Sequence, residues 1–274
     1  MKASLMSLVF ALAAFAQMGT IDQQYSGPFD AGDLCCESIG LNTLAVGQGF
    51  IPTQNYLTGI SVHLRNGAAA ARRVQLMLRA GSLTGTIVNT SASVATVPAN
   101  SHDWVDFDLC PIRLVPGHLY VIQLLAENGG GDLSWTLRGG NPYHGGAGYR
   151  NSQVMPWDYG FRTYYMPEAT AAMATLIALG APDNVDRGVA FGATMSYQII
   201  AAPQGAFVSA FATGTIANLY TVHHDWCKIT AGNRNLTFAL TPPEGMTAGF
   251  RDVTAQIGIN GFNLSSRTRQ VNVR

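Results

Sequence analysis

The sequence predicts an all-β chain, a two-sheet sandwich or jelly roll followed by a smaller sandwich of immunoglobulin-like type. Three observations carry that expectation. Apolar and polar residues alternate with period two in several short runs, as a strand with one buried and one wet face requires. The 30 glycines and 12 prolines punctuate those runs, the composition of many strands joined by tight turns. Extended apolar segments with helical period are missing.

At the N-terminus, Lys2 precedes an apolar run from Leu5 to Phe15, and Ala14, Phe15 and Ala16 offer a small-x-small cleavage site. That is the layout of a secretory signal peptide. The run falls short of the ~20 apolar residues of a spanning helix, and Gln17 ends it. Residues 1–16 are therefore read as an export signal and residues 17–40 as an N-terminal segment. The mature chain is expected to be secreted, periplasmic or extracellular, with no membrane span. Charged residues make up 12% of the chain and the formal net charge is zero, so overall electrostatics give no reason to expect a nucleic-acid partner.

The first module spans residues 41–166. Ile60, Val62 and Leu64 alternate with Ser61, His63 and Arg65, and Val74, Leu76 and Leu78 alternate with Gln75, Met77 and Arg79. A connection through Gly81 and Gly85 leads to a strand region from Ile87 to Val97. In the next strand Val105, Phe107 and Leu109 take one face and Trp104, Asp106 and Asp108 the other. Pro116 and Gly117 turn the chain into Leu119–Leu125, apolar enough for a central strand, which Gly129–Gly131 end. A strand through Trp135 and Leu137, a loop from Gly139 to Gly148 and a strand from Phe161 to Tyr165 make about eight in all.

A boundary is placed near residue 167, ahead of an alanine-rich stretch. In the second module, residues 167–274, strands are expected at Val189–Ile200, Ala206–Ala212, Leu219–Trp226, Leu236–Leu240 and Val253–Ile259. Alanine and leucine also allow an amphipathic helix from Thr170 to Leu179.

Four cysteines in an exported chain favour disulfides over free thiols. A bond between the neighbours Cys35 and Cys36 would strain the intervening peptide. The expected pairings therefore join Cys35 and Cys36 to Cys110 and Cys227, one bridge reaching the first module and the other the second. Buried thiols are the alternative, and no zinc-type spacing accompanies them.

The order Gln48-Gly49-Phe50, "LTGISVHL" at Leu57, "WVDFDL" at Trp104, "LVPGHLYVIQL" at Leu114, "NPYHGGAGYRNS" at Asn141 and "WDYGFRTYY" at Trp157 resembles the jelly-roll modules repeated in secreted bacterial proteins. These are similar in architecture to carbohydrate-binding modules. The resemblance covers roughly residues 41–165. It implies that Tyr143, Gly145 and Gly146 belong to a structural signature, and that a structural calcium ion, for which Asp30, Asp33 and Asp132 are candidate ligands, could accompany the fold. No other cofactor is expected.

Trp104, Asp106 and Asp108 share a wet strand face, and a sugar site needs an aromatic plate beside carboxylates that accept hydroxyl hydrogen bonds. The plainer alternative has Trp104 packed under a loop and the aspartates keeping the face soluble. Tyr143, His144, Tyr149 and Trp157 form a second aromatic-rich candidate among glycines. His223 and Asp225 could share one strand face, with His224 leaving it; two ligands do not make a metal site. No hydrolase, phosphate-loop or zinc-protease motif is present, so a non-enzymatic role is expected. Two roles compete: binding an extracellular glycan or surface polymer, or serving as a structural or adhesive component that works through protein contacts.

Overall fold

The computed structural model describes residues 18–30, 36–39, 45–89, 93–127, 132–169, 172–201, 206–259 and 262–274. The expected export signal, Asp33, Cys35 and Gly129–Gly131 lie outside them. The described residues form an all-β molecule of four sheets arranged as β-sandwiches, and none of their helices is long and apolar enough to cross a membrane.

The first module contains β1 (Thr20–Tyr25), β2 (Cys36–Ser38), β3 (Val46–Phe50), β4 (Tyr56–Asn66), β5 (Arg72–Ala80), β6 (Ser93–Val97), β7 (Ser101–Arg113), β8 (Tyr120–Ala126), β9 (Leu133–Gly139), β10 (Gly148–Arg150), β11 (Gln153–Met155), β12 (Trp157–Tyr159) and β13 (Phe161–Tyr165). One sheet runs β1-β13-β4-β9-β12, with β7 along the free side of β4 and β2 on β9; the other runs β11-β10-β3-β8-β5-β6. The chain alternates between the sheets, so strands that are neighbours in sequence often face each other across the core. The alternation does the work expected of it: Ile60, Val62 and Leu64 meet Val74, Leu76, Leu78, Val105, Phe107, Ile122 and Leu124 in one buried cluster. Each fully buried aliphatic chain contributes about 1.5–3 kcal/mol of transfer free energy.

Turn chemistry sets the register. Pro116 and Gly117 occupy the middle of a turn closed by His118 N–H donating to Val115 O at 3.2 Å, and Gly117 has φ +81°, the conformation that favours glycine after proline in a type II turn. Pro111 sits in β7, which pairs with β4 alone, and an edge strand tolerates a residue without an N–H. The expected strand from Ile87 to Val97 is shorter: β6 begins at Ser93, and Ile87 makes an isolated bridge to Arg79.

The second module contains β14 (Met173–Gly180), β15 (Asn184–Val185), β16 (Phe191–Ile200), β17 (Val208–Ile216), β18 (Tyr220–Ile229), β19 (Gly232–Leu240), β20 (Gly249–Ile259) and β21 (Phe262–Val273). A three-stranded sheet, β14-β16-β19, faces a five-stranded one, β15-β21-β20-β17-β18. Their inner residues, among them Leu176, Met195, Tyr197, Phe238, Val253 and Val271, form a second buried cluster. Where an amphipathic helix from Thr170 to Leu179 was allowed, β14 pairs antiparallel with β16. Ala174 and Leu176 are buried while Met173, Thr175 and Ile177 are exposed, so the sheet's period-two environment overrides the helix propensity of alanine and leucine.

The modules are joined covalently. Cys110 of β7 and Cys227 of β18 form a disulfide with Cα atoms 5.0 Å apart. The expected bridges from Cys35 and Cys36 to these two cysteines are thereby overturned, because the approach of β7 and β18 across the module boundary is invisible to an argument from sequence neighbours. Beside the disulfide, Lys228 Nζ donates to Asp108 Oδ1 and to Thr58 O. Tyr56 donates its hydroxyl to Glu168 Oε2 at 2.8 Å and meets the Phe207 ring edge-on.

Candidate functional site

The strand alternation that buries Val62 and Val105 turns His63 and Trp104 to the opposite, outer face of the first sheet. Register then places His63 opposite Trp104 and Ser61 opposite Asp106 on β4 and β7, and Arg162 of β13 opposite Ser61. The result is a continuous patch. The Arg162 guanidinium carbon lies 3.9 Å over the Trp104 ring. His63 meets that ring edge-on at 5.1 Å and His102 at 4.8 Å. Phe29, carried across the face by the segment after β1, stacks on His63 at 4.6 Å.

Polar contacts fix the rest of the patch. Ser61 Oγ donates to Asp106 Oδ1 at 2.5 Å and lies 3.1 Å from the Tyr164 hydroxyl. Ser61 has one proton and the carboxylate takes it, so the Tyr164 hydroxyl is the donor in the second contact. His63 Nδ1 is 2.8 Å from Thr136 Oγ1. Burial first, and the neighbouring His102 second, hold the His63 imidazole down at about 4, so it is neutral at physiological pH. His102, Asp103 and Asp106 are exposed, while Trp104, Arg162 and Tyr164 are half-buried.

The three candidates on β7 therefore separate. Trp104 and Asp106 belong to the patch, with one face of the indole covered by Arg162 rather than open as a plate. Asp108 is drawn to the module boundary by Lys228.

The glycine-rich loop is built inward. Tyr143 packs edge-on against Phe161, donates its hydroxyl to Gln23 Oε1 at 2.9 Å and its backbone N–H to Asp158 Oδ2 at 2.8 Å. Its phenol is pushed up to about 12, chiefly by burial. Asp158 is fully buried and also accepts from Gln48 Nε2 at 3.0 Å, and burial raises its carboxyl above the usual range. A Cβ at Gly146 would stand 2.1 Å from Gly49 O, which explains the second glycine of the loop by close backbone approach. Trp157 packs against the first core, the Tyr149 ring lies beside Gly49, and His144 is exposed.

Asp30 pairs with Arg138 and Asp132 with Arg72, so these two candidate calcium ligands are each committed to a guanidinium; among the described residues no group of three metal-type side chains converges. His223 Nε2 lies 2.8 Å from Asp225 Oδ1, and His224 meets Trp226, so the adjacent histidines do leave by opposite faces.

Sequence reasoning missed Arg162, Phe29, His102 and Tyr164 as members of the patch. Ser61 and His63 carried a signal, since alternation put them on the wet face of β4. What the sequence lacked was the register that sets them against β7 and β13.

No family model matches the chain, and no curated protein matches it. Among solved structures it is similar to a CARDB domain from Pyrococcus furiosus in complex with di-metal ions, at 17% identity and a TM-score of 0.26, covering 40% of this chain and 93% of that one. It is also similar to a β-galactosidase described from Bacteroides fragilis, at 12% identity and a TM-score of 0.27, covering 94% of this chain and 34% of that one. A β-glucuronidase from glycoside hydrolase family 2 gives 10% identity and a TM-score of 0.26, covering 95% of this chain and 26% of that one. This chain thus spans about a third and about a quarter of the length of those two enzymes. Similarity at this level carries no information on what the chain binds.

Proposed function

We propose that this is an exported, non-catalytic binding protein that holds an extracellular saccharide polymer on the outer face of its first sheet, with the second module as a rigid spacer. One observation carries the reading: that face gathers an aromatic ring, exposed His102 and Asp106, and the half-buried Tyr164 hydroxyl within one register of β4, β7 and β13, with buried Ser61 tying Asp106 and Tyr164 together beneath them. Such a mixture of apolar ring and hydrogen-bonding groups suits a hydroxyl-rich ligand. Asp106 is tied to Ser61 and Asp108 to Lys228, which supports binding over the pair of facing carboxylates that glycoside hydrolysis uses. The Cys110–Cys227 disulfide suits an oxidising compartment outside the cytosol.

The test is retention of the folded mature chain on a panel of insoluble polysaccharides, with and without calcium. Selective retention by at least one polymer is the expected result. A well-folded chain that passes through every column would leave the second reading, a structural or adhesive spacer. That reading is favoured by the locked module boundary, where the disulfide, the Lys228 contacts and the Tyr56–Glu168 bond lie together.

A further inference from the structure

Among the arginines, Arg162 differs from those held by a carboxylate. Arg72, Arg73, Arg138, Arg150, Arg269 and Arg274 each meet a carboxylate within 4.0 Å. The Arg162 guanidinium makes no hydrogen bond or ion pair among the described residues, and its Nε, like those of Arg72 and Arg234, is sealed from solvent without a partner. The acids on neighbouring β7 are engaged elsewhere: Asp103 accepts from Trp104 N at 2.7 Å, Asp106 from Ser61, and Asp108 from Lys228. The sealed Nε is out of a ligand's reach, which leaves the terminal guanidinium nitrogens as the donors open to one.

We propose that Arg162 is the anion-reading residue of this face, and that the polymer it completes carries spaced carboxylates, as a uronate-type polysaccharide does. The inference rests on the saccharide-binding reading above. The guanidinium is a rigid planar fork whose geometry matches a carboxylate bidentately. Contact with the Trp104 ring at 3.9 Å holds the guanidinium in place before any ligand arrives, so less rotamer freedom is lost on binding. Asp106 remains exposed on the same face and repels densely charged polyanions. Half-buried Tyr164 and exposed His102 beside it offer partners to hydroxyls. One carboxylate per unit, flanked by hydroxyls, satisfies both conditions.

Affinity electrophoresis of the full mature chain tests this, in gels containing polygalacturonate, its methyl ester, dextran sulfate, polyglutamate or neutral dextran. Retardation by polygalacturonate is expected, lost when the polymer is esterified, and weakened about tenfold or more in Arg162→Gln, the loss of one charge-assisted bidentate contact. Arg162→Lys keeps the charge without the fork and falls between. The esterified polymer removes the carboxylate without touching the protein, so the test survives a variant that fails to fold. Equal retardation of wild type and Arg162→Gln overturns the proposal. So does equal or stronger retardation by polyglutamate, which would make the ligand an acidic polypeptide, or by dextran sulfate. Retention by a neutral polymer that ignores Arg162 removes this inference and leaves saccharide binding standing; passage through every gel removes both.

Discussion

Removing the Cys110–Cys227 bridge is the perturbation with the most definite magnitude. The bond closes a loop with a sequence separation of 117 residues, for which chain-entropy arguments give about 4.9 kcal/mol of stabilisation through the unfolded state. Both half-cystines are exposed, so the double variant Cys110→Ser, Cys227→Ser leaves no core cavity to confuse the reading. The loop spans β8 to β17 and so takes in strands of both modules. The full effect therefore appears only when the two modules unfold together, and the contacts of Lys228, Tyr56 and Phe207 across the boundary make that the expected behaviour. Guanidinium chloride unfolding followed by far-UV circular dichroism measures it. At an m-value of about 5 kcal/mol/M the midpoint should fall by about 1 M. A single transition whose midpoint moves by less than a fifth of that would refute the loop-closure reasoning.

Four further outcomes follow from particular contacts. The folded state holds His63 neutral, with its pKa moved from 6.5 to about 4, so stability should be level above pH 6.5 and fall as pH drops from 6.5 towards 4, by about 1–2 kcal/mol after allowing for solvent screening; melting temperatures of wild type and His63→Gln across that window should converge at low pH. Lys228→Met removes a nearly buried ammonium from Asp108 and Thr58 O, and urea unfolding should register a loss of about 1–2 kcal/mol, limited by the exposure of Asp108. Tyr143→Phe deletes the bond to Gln23 and should cost about 1 kcal/mol without altering polymer retention, whereas loss of retention with unchanged stability would return the loop to the binding surface. Gly146→Ala sets a Cβ against backbone atoms of Gly49 and should destabilise by about 3 kcal/mol or more, read as a fall in the thermal midpoint.

The strands of the first core were legible because one face of each is buried and the other wet. β7 is the clearest case, with Val105, Phe107 and Leu109 buried and Asp106 and Asp108 exposed. The short strands β10, β11 and β12 were hidden within a glycine-rich stretch, where no alternation can be counted over three residues. β14 was open to a helical reading because alanine and leucine serve both helix and strand cores, and pairing with β16 decided it.

The site was legible only in part. Trp104 and Asp106 announce an outer face, but the partners that give them chemistry come from β4 and β13, and register across a sheet is a tertiary property. Trp157 and Tyr143 looked like surface aromatics because they stand among glycines. Those glycines instead let the loop close against Gly49, which carries the Tyr143 ring onto Phe161 and its hydroxyl onto Gln23. The disulfide was misassigned for the same reason as the site, since β7 and β18 meet only when the two modules do.

Assignment of the binding surface to the outer face of β4, β7 and β13 is checked by two substitutions made together, His102→Ala and Arg162→Gln. Dissociation constants of wild type and the double variant would be compared on whichever polymer retains the wild type. The double variant should lose affinity about tenfold or more with an unchanged melting temperature; equal affinity of the two proteins would place the binding surface elsewhere on the molecule.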